Sequence, residues 1–518
     1  MKIERTKNAS RNMLFGVVLK LYQLLIPFVM RTIMLYLMGP GYTGLNSLFV
    51  SVLQVLNLAE LGVGSAMVFS MYKPIVEDNE AEICALMRLY KIYYRVIGLV
   101  VMGAGLVLTP FIPTLIKSDL PADVNIYVLY FMNLFATALT YWLFAYKNSI
   151  LTAYQRSDIN SKITIITDTI KYAIQIIVLV LFRNYYLYVL AILFSQVLNN
   201  ITTAIISTKL YPQYKPVGKL PSEEVKVINK RIKDLFTSKV GSVIITSADS
   251  IVISAFLGLK MLTIYQNYYY PISAVMGVVQ IIFASCTAGI GNSIIVESQE
   301  KNMRDLKKFT FIIAWIAGFC TTCFLAVLQP FMEIWAGKKL MVGYPLVVCM
   351  AMYFFIFEIN ALLNLYKDAA GIWHEDRFRP LATSLANLFM NIVMVQFWGL
   401  YGVILSTVIS MLIVGMPWLL HNLFTVMFDM KYLKGYLLTL FKYVLVTGVV
   451  CIIIVYICSF INYHPLMTMV IRLLVCTIVV NIIFLLVYRS SQEFKESLIL
   501  VNKMTKGKVP FLNKYGRE

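Results

Sequence analysis

Long apolar runs punctuated by glycine, proline and charge divide the chain into fourteen stretches, at about 13–38, 43–72, 89–116, 122–146, 163–182, 186–208, 237–257, 262–295, 309–333, 345–366, 380–398, 400–424, 440–461 and 467–488. Each is close to or above the roughly 20 residues that an α-helix needs to cross a bilayer. The apolar residues come as continuous spans rather than as the stripes of a soluble helix. The pattern predicts an all-α polytopic membrane protein of about fourteen transmembrane helices. The even number puts both termini on one side.

The first span holds Lys20 and Arg31 within its apolar run. They are eleven residues apart, about 20° beyond three whole turns, so an unbroken helix shows both on one face. Pro27 lies between them and removes a backbone hydrogen bond, which predicts a kink. Charge inside a span is costly and usually faces a bundle interior or a watery cavity. The span therefore reads as the cationic wall of a transport pathway. Before it, the polar, basic MKIERTKNASRN reads as the flank of a retained start-transfer helix rather than as a cleavable signal peptide.

Orientation follows from the loops. Lys2, Arg5, Lys7 and Arg11 share a side with Lys73, Arg88, Arg156, Lys162, Lys301 to Lys308, Lys367 to Arg379 and Lys431 to Lys442, whereas the opposite loops hold Lys117, Arg183, Lys260, Lys338 and Lys339. This asymmetry predicts cytoplasmic termini. It also accounts for most of the net charge of +19, so no nucleic-acid partner is needed.

The longest internal loop contains LPSEEVKVINKRIKDLF. Val225, Ile228, Ile232 and Leu235 recur at helical spacing opposite Lys226, Lys230, Arg231 and Lys233, behind a Ser222 N-cap. The expectation is an amphipathic connector lying along the cytoplasmic membrane surface. A repeat supports two bundles. YKNSILTAYQRSDINSK from Tyr146 parallels YKDAAGIWHEDRFRP from Tyr366, and GVGSAM at Gly62 parallels GIGNSI at Gly289. The organisation read from this is an N-lobe at 1–208 (spans 1–6), a connector at 209–236, a C-lobe at 237–424 (spans 7–12), and spans 13 and 14 with a basic, solvated or lipid-facing tail at 425–518. Internal repeats of this kind mark transporters, with the path between halves.

Composition agrees: the chain is 59% hydrophobic and only 14% charged, against about 25% in a soluble protein. The eight cysteines lie mostly within apolar segments. The CxxC at Cys320 and Cys323 has no soluble redox fold around it, so buried free thiols are expected. His374, His421 and His464 form no metal-binding spacing, and nothing calls for a cofactor. Further intramembrane charges are Glu60, Asp168, Lys171, Asp249, Glu358 and Arg472. Glu60 falls at a depth from which it can pair with Lys20, so Lys20 is either a ligand group or half of an ion pair. Arg31 has no partner evident at its depth, and its guanidinium suits an anionic headgroup. Asp168 and Lys171, three apart, satisfy each other, and Arg472 near a span end snorkels. Asp249 and Glu358 are either coupling acids or structural carboxyls. Asn133, Asn387 and Asn391 either line a cavity or bond between helices.

Four stretches, LNLAELGVGSAMVFSMYKPI from Leu56, TSADSIVISAFLG from Thr246, AAGIWHEDRFRP at Ala369–Pro380 and GLYGVILSTVIS from Gly399, resemble the polysaccharide-transporter branch of the multidrug/oligosaccharidyl-lipid/polysaccharide exporter superfamily, the Wzx-type flippases of O-antigen or capsule repeat units. The resemblance runs over essentially the whole chain. It implies a non-enzymatic, alternating-access carrier in a bacterial cytoplasmic membrane. Such a carrier moves undecaprenyl-diphosphate-linked oligosaccharide to the outer leaflet, alongside glycosyltransferases and a polymerase. It also implies a cavity with basic residues near the diphosphate, a role that Arg31 and Lys20 fit, and a lipid-tail groove at spans 13 and 14. A cation-coupled drug exporter of the same fold would favour acids in the cavity. A membrane glycosyltransferase or polymerase would need larger outer loops.

Overall fold

A computed structural model describes residues Arg5–Met504; Lys2 and the tail beyond Met504 lie outside the described residues. Among these there are only helices and turns. Thirteen helices are long and apolar enough to cross a membrane, or fourteen if one bent pair is a single span. The protein is an all-α, multi-pass membrane protein, as its apolar spacing predicts.

The chain forms two compact units, Met1–Thr263 and Ile264–Glu518. Unit 1 holds α1 (Arg5–Leu37), α2 (Pro40–Leu56), α3 (Val63–Val76), α4 (Glu80–Leu108), α5 (Ile126–Trp142), α6 (Asn148–Ala153), α7 (Ser157–Ile177), α8 (Tyr185–Leu210) and α9 (Ser222–Leu257). α10 (Leu259–Val296) starts in unit 1 and runs on into unit 2. Unit 2 continues with α11 (Gln299–Trp335), α12 (Tyr344–Ala369), α13 (Arg379–Trp398), α14 (Leu400–Ser410), α15 (Met416–Val426), α16 (Leu433–Ser459), α17 (Pro465–Val475), α18 (Asn481–Tyr488) and α19 (Gln492–Met504). Five-residue π-helical turns join α14 to α15 and α17 to α18.

α1 continues as one helix through Pro27, where the kink is expected. Several later elements depart from the sequence reading. The second stretch breaks into α2 and α3 at a short 3₁₀ turn, Asn57–Glu60, followed by Gly62 with a left-handed φ of 87°. A Cβ on Gly62 would lie 2.6 Å from that of Leu235, so both the turn and the approach of α9 require glycine. The fourth span ends in a 48° bend between Ile126–Trp142 and Ala145–Ala153.

The amphipathic segment is not a separate surface helix. It is the first half of the 36-residue α9, because no glycine turn or proline interrupts the helix between Leu235 and Ser247, and Gly241 alone does not break it. α9 packs against α2 and α3 within unit 1: Tyr93 donates to Asn229 at 2.6 Å, and Arg231 donates to Ser70 at 3.0 Å and lies over the Phe69 ring.

In unit 2 the last helices gather on α11 around an aromatic cluster. Phe311 and Trp315 meet Tyr443 of α16, Phe484 and Tyr488 of α18, and Phe494 of α19, whose ring stacks on Trp315 at 6.0 Å. The start of the polar tail is thus a docked helix. Arg472 does not snorkel: it donates to the Ala326 carbonyl at 3.1 Å and to the Ile461 carbonyl at 3.0 Å, tying α17 to α11.

Candidate functional site

Of the side chains singled out by the sequence, unit 1 holds Lys20, Arg31, Glu60, Asn133 and Asp249, and unit 2 holds Glu358, Asn387 and Asn391.

Lys20 is exposed on α1. Among the described residues no ion pair joins it to Glu60, whose Oε1 accepts instead from Tyr94 at 2.8 Å. The chain turn at Asn57–Gly62 is the reason. A depth count along an unbroken helix does not apply past it, and Glu60 is delivered to α4. There Tyr90 donates to Tyr94 at 2.6 Å, which donates to Glu60, while Tyr141 donates to Asn57 at 3.0 Å. The Tyr90 and Tyr94 rings lie 4.4 Å apart, and Tyr141 meets Tyr94 edge-on at 5.5 Å. Gly64 leaves room for this set, since a Cβ there would lie 3.1 Å from the Tyr90 hydroxyl. The GVGSAM motif therefore serves a turn and a close approach. Its counterpart GIGNSI runs within the unbroken α10, with nothing within 4 Å of a Cβ on Gly289.

Arg31 does have partners. Nη1 donates to Ser47 Oγ and Nη2 to the Thr263 carbonyl, both at 3.2 Å. The guanidinium thus links α1, α2 and the first residues of α10, all within unit 1. Asp249 lies on a buried polar strip of α9 with Ser247, Ser250 and Ser254. Asn133, also buried, donates to the Leu129 carbonyl at 2.9 Å.

In unit 2, Glu358 of α12 is 1% exposed, and among the described residues neither carboxyl oxygen has a hydrogen-bond partner. Asn387 and Asn391 are fully buried between α13 and α14: Asn387 donates to Thr407 at 2.9 Å, and Ser406 donates to Asn391 at 2.6 Å. Asp168 and Lys171 pair at 2.6 Å, as their spacing predicts. The cysteines are free, and among the described residues no group of three or more His, Cys, Asp or Glu could hold a metal ion.

Two charge hubs escaped the sequence reading. Asp158, 0% exposed, meets Arg11 at 2.9 Å, Arg156 at 3.2 Å and Lys162 at 3.5 Å. Asp376, 2% exposed, takes a two-point bond from Arg379 at 2.6 and 2.7 Å, with Asn422 at 3.0 Å and Lys367 at 3.7 Å. The two acids sit at equivalent places in the repeated Tyr-Lys loops, 376 − 158 = 218 residues apart, and Lys147 and Lys367 of those loops are both buried. The repeat itself was the signal that could have found them.

The arrangement of helices is similar to that of solved transporters of the MOP superfamily. The lipid II flippase MurJ in an inward closed conformation superposes with a TM-score of 0.64 at 16% identity, covering 92% of this chain and 99% of that one. An inward-facing multidrug resistance MATE transporter gives 0.60 at 13% identity, covering 81% and 99%. A MOP superfamily transporter from Pyrococcus furiosus gives 0.51 at 13% identity, covering 83% and 96%. At these identities the likeness is one of fold. Neither a protein-family model nor a curated protein matches the chain.

Proposed function

We propose that this protein is a flippase for polyprenyl-diphosphate-linked oligosaccharide in a bacterial cytoplasmic membrane, serving surface polysaccharide synthesis. The observation that carries the reading is Arg31, a guanidinium set toward the far end of a membrane-spanning helix in a flippase-like fold. Its planar fork matches diphosphate oxygens, which form stronger bonds with it than a hydroxyl or a carbonyl does. Lys20, exposed on the same helix, would meet the anionic head on its way in. The basic loops face the cytoplasm in this reading, so Lys20 lies near the entry and Arg31 near the exit. Alternating access then carries the head across while the polyprenyl tail stays in lipid.

The extent of the structural likeness supports a lipid-linked substrate. The flippase match covers 11% more of the 518 residues than the MATE match, about 57 residues, close to the length of Met430–Tyr488 with its two extra spans. A cation-coupled exporter of the same fold is the second reading. It is favoured by Glu358, a buried acid without a hydrogen-bond partner among the described residues.

Arg31→Ala should abolish surface polysaccharide and cause lipid-linked repeat units to accumulate, with the protein still present in the membrane. Normal polymer output from that variant removes Arg31 from transport. Arg31→Lys keeps the charge but not the fork, and should retain about a tenth of the flux, the loss of one charge-assisted bond.

A further inference from the structure

Arg31 lies in a seam that is already closed. Eighteen residues beyond Met13 at 1.5 Å each put it about 27 Å along a core roughly 30 Å thick, close to the end of unit 1 that carries Gly39, Ser118 and Gly258. At that end the turn between α9 and α10 is stitched to the rest of unit 1 by short-range contacts. Thr263 Oγ1 donates to the Pro40 carbonyl at 2.5 Å, the Lys117 amide to Ser254 at 3.2 Å, the Leu259 amide to Ser118 at 3.4 Å and the Lys260 amide to Asp119 Oδ2 at 3.4 Å. Two glycines permit the approach. A Cβ on Gly44 would lie 2.2 Å from the Leu259 carbonyl oxygen, and one on Gly258, whose φ is +93°, would lie 2.3 Å from Ser118 Oγ. Arg31 spans the same seam, from Ser47 on α2 to the Thr263 carbonyl on α10.

We infer that Arg31 is a positioning residue that holds this seam shut in the substrate-free protein, and that an anionic phosphate headgroup opens it by taking the guanidinium away from Thr263 and Ser47. The inference rests on the flippase reading for the identity of the competing anion. A neutral carbonyl and a hydroxyl are weak acceptors beside a diphosphate, which binds a guanidinium through two charge-assisted bonds. Occupation of the site would thereby remove a tie from the barrier that must part for release. Binding and opening are then linked through one side chain, because the ligand has differential affinity for the two states.

The test is labelling of Leu262→Cys, a position 0% exposed beneath the seam, in the full-length protein in proteoliposomes. An impermeant maleimide is applied from the side of Gly39 and Gly258, against the parent chain as background. Arg31→Gln should label about a hundredfold faster without ligand, the loss of its two charge-assisted bonds to Ser47 and Thr263. With Arg31 present, a short-chain polyprenyl diphosphate should give a similar rise and the polyprenyl alcohol none; in Arg31→Gln the diphosphate should add nothing. Gly44→Ala, whose Cβ would push into Leu259 and Thr263 Oγ1, opens the seam while keeping the Arg31 side chain and serves as the open reference. If Gly44→Ala labels fast and Arg31→Gln labels like its parent, the latch is overturned while the flippase reading stands. If Arg31→Gln labels fast but the diphosphate leaves the parent unchanged, the ligand switch is overturned. If an organic cation, and not the diphosphate, speeds labelling of the parent, the flippase reading fails and Arg31 keeps its place in the seam. Ser47→Ala removes one partner only and should fall between parent and Arg31→Gln.

Discussion

Glu60 shows how a single turn redirects chemistry. Its partners are tyrosine hydroxyls on α4 and α5 rather than an ammonium on α1, and the chain Tyr90 to Tyr94 to Glu60 is a directed series of donors. Tyr94→Phe removes the hydroxyl that reaches the carboxylate and should destabilise the protein by about 1.5–3 kcal/mol, the cost of a hydrogen bond to a charged group. Thermal unfolding in detergent would measure it. Tyr141→Phe, whose hydroxyl bonds Asn57 and also reaches Glu60, should destabilise too, by about 1 kcal/mol or more; no loss from either variant would mean that the carboxylate is not the centre of the set. At this scale the sequence was partly legible. Residue type and burial inside the membrane singled out Arg31, Glu60 and Glu358, because charge among apolar residues is conspicuous. Their partners were not legible. Depth counted along a helix is one-dimensional, whereas Ser47, Thr263 and Tyr94 are supplied by other helices.

Among elements, the hubs and α9 carry the sharpest consequences. Asp158 is buried against three cations. Asp158→Asn leaves those partly exposed cations without their acid, and a loss of about 1–3 kcal/mol is expected, that of hydrogen bonds to a charged group. Asp376→Asn should act similarly through Arg379. An exposed acid such as Glu223 in the first turn of α9, whose pairing with Lys226 is exposed, should cost under about 1 kcal/mol when neutralised. For α9, a continuous helix predicts slow amide exchange without a gap from Phe236 to Ser242; a fast-exchanging interval there would restore the two-piece picture. Spans were read well because a 20-residue apolar run has few alternatives in a bilayer. Breaks were read poorly. Gly62 bends one copy of the motif, while Gly289 and Gly291 lie within an unbroken helix, and only the neighbours that each must clear distinguish them.

For the molecule as a whole, the fold class was visible in the chain. Within the first compact unit, which ends at Thr263, α9 packs against α2 and α3. That packing depends on Gly44 and Gly258 admitting a neighbouring backbone, which no periodicity reports. In unit 2 the last spans rest on aromatic packing. Gly318→Val would push into Phe484 and Thr447, each 2.9 Å from a Cβ at that position. About 1–3 kcal/mol of overpacking should follow, read as release of α16 to α18 to proteolysis before the rest of the chain.

The two hubs also bear on how such a chain is built. Among the described residues the Asp158 lock draws on Arg11, Asn12, Arg156 and Lys162, all present before the fifth span is made. The Asp376 lock waits for Asn422, near the end of the twelfth. Neither borrows a group from the other half of the sequence. Synthesis can therefore fasten the early spans while the later ones are still being made, so buried charge is neutralised in the order in which it enters the membrane.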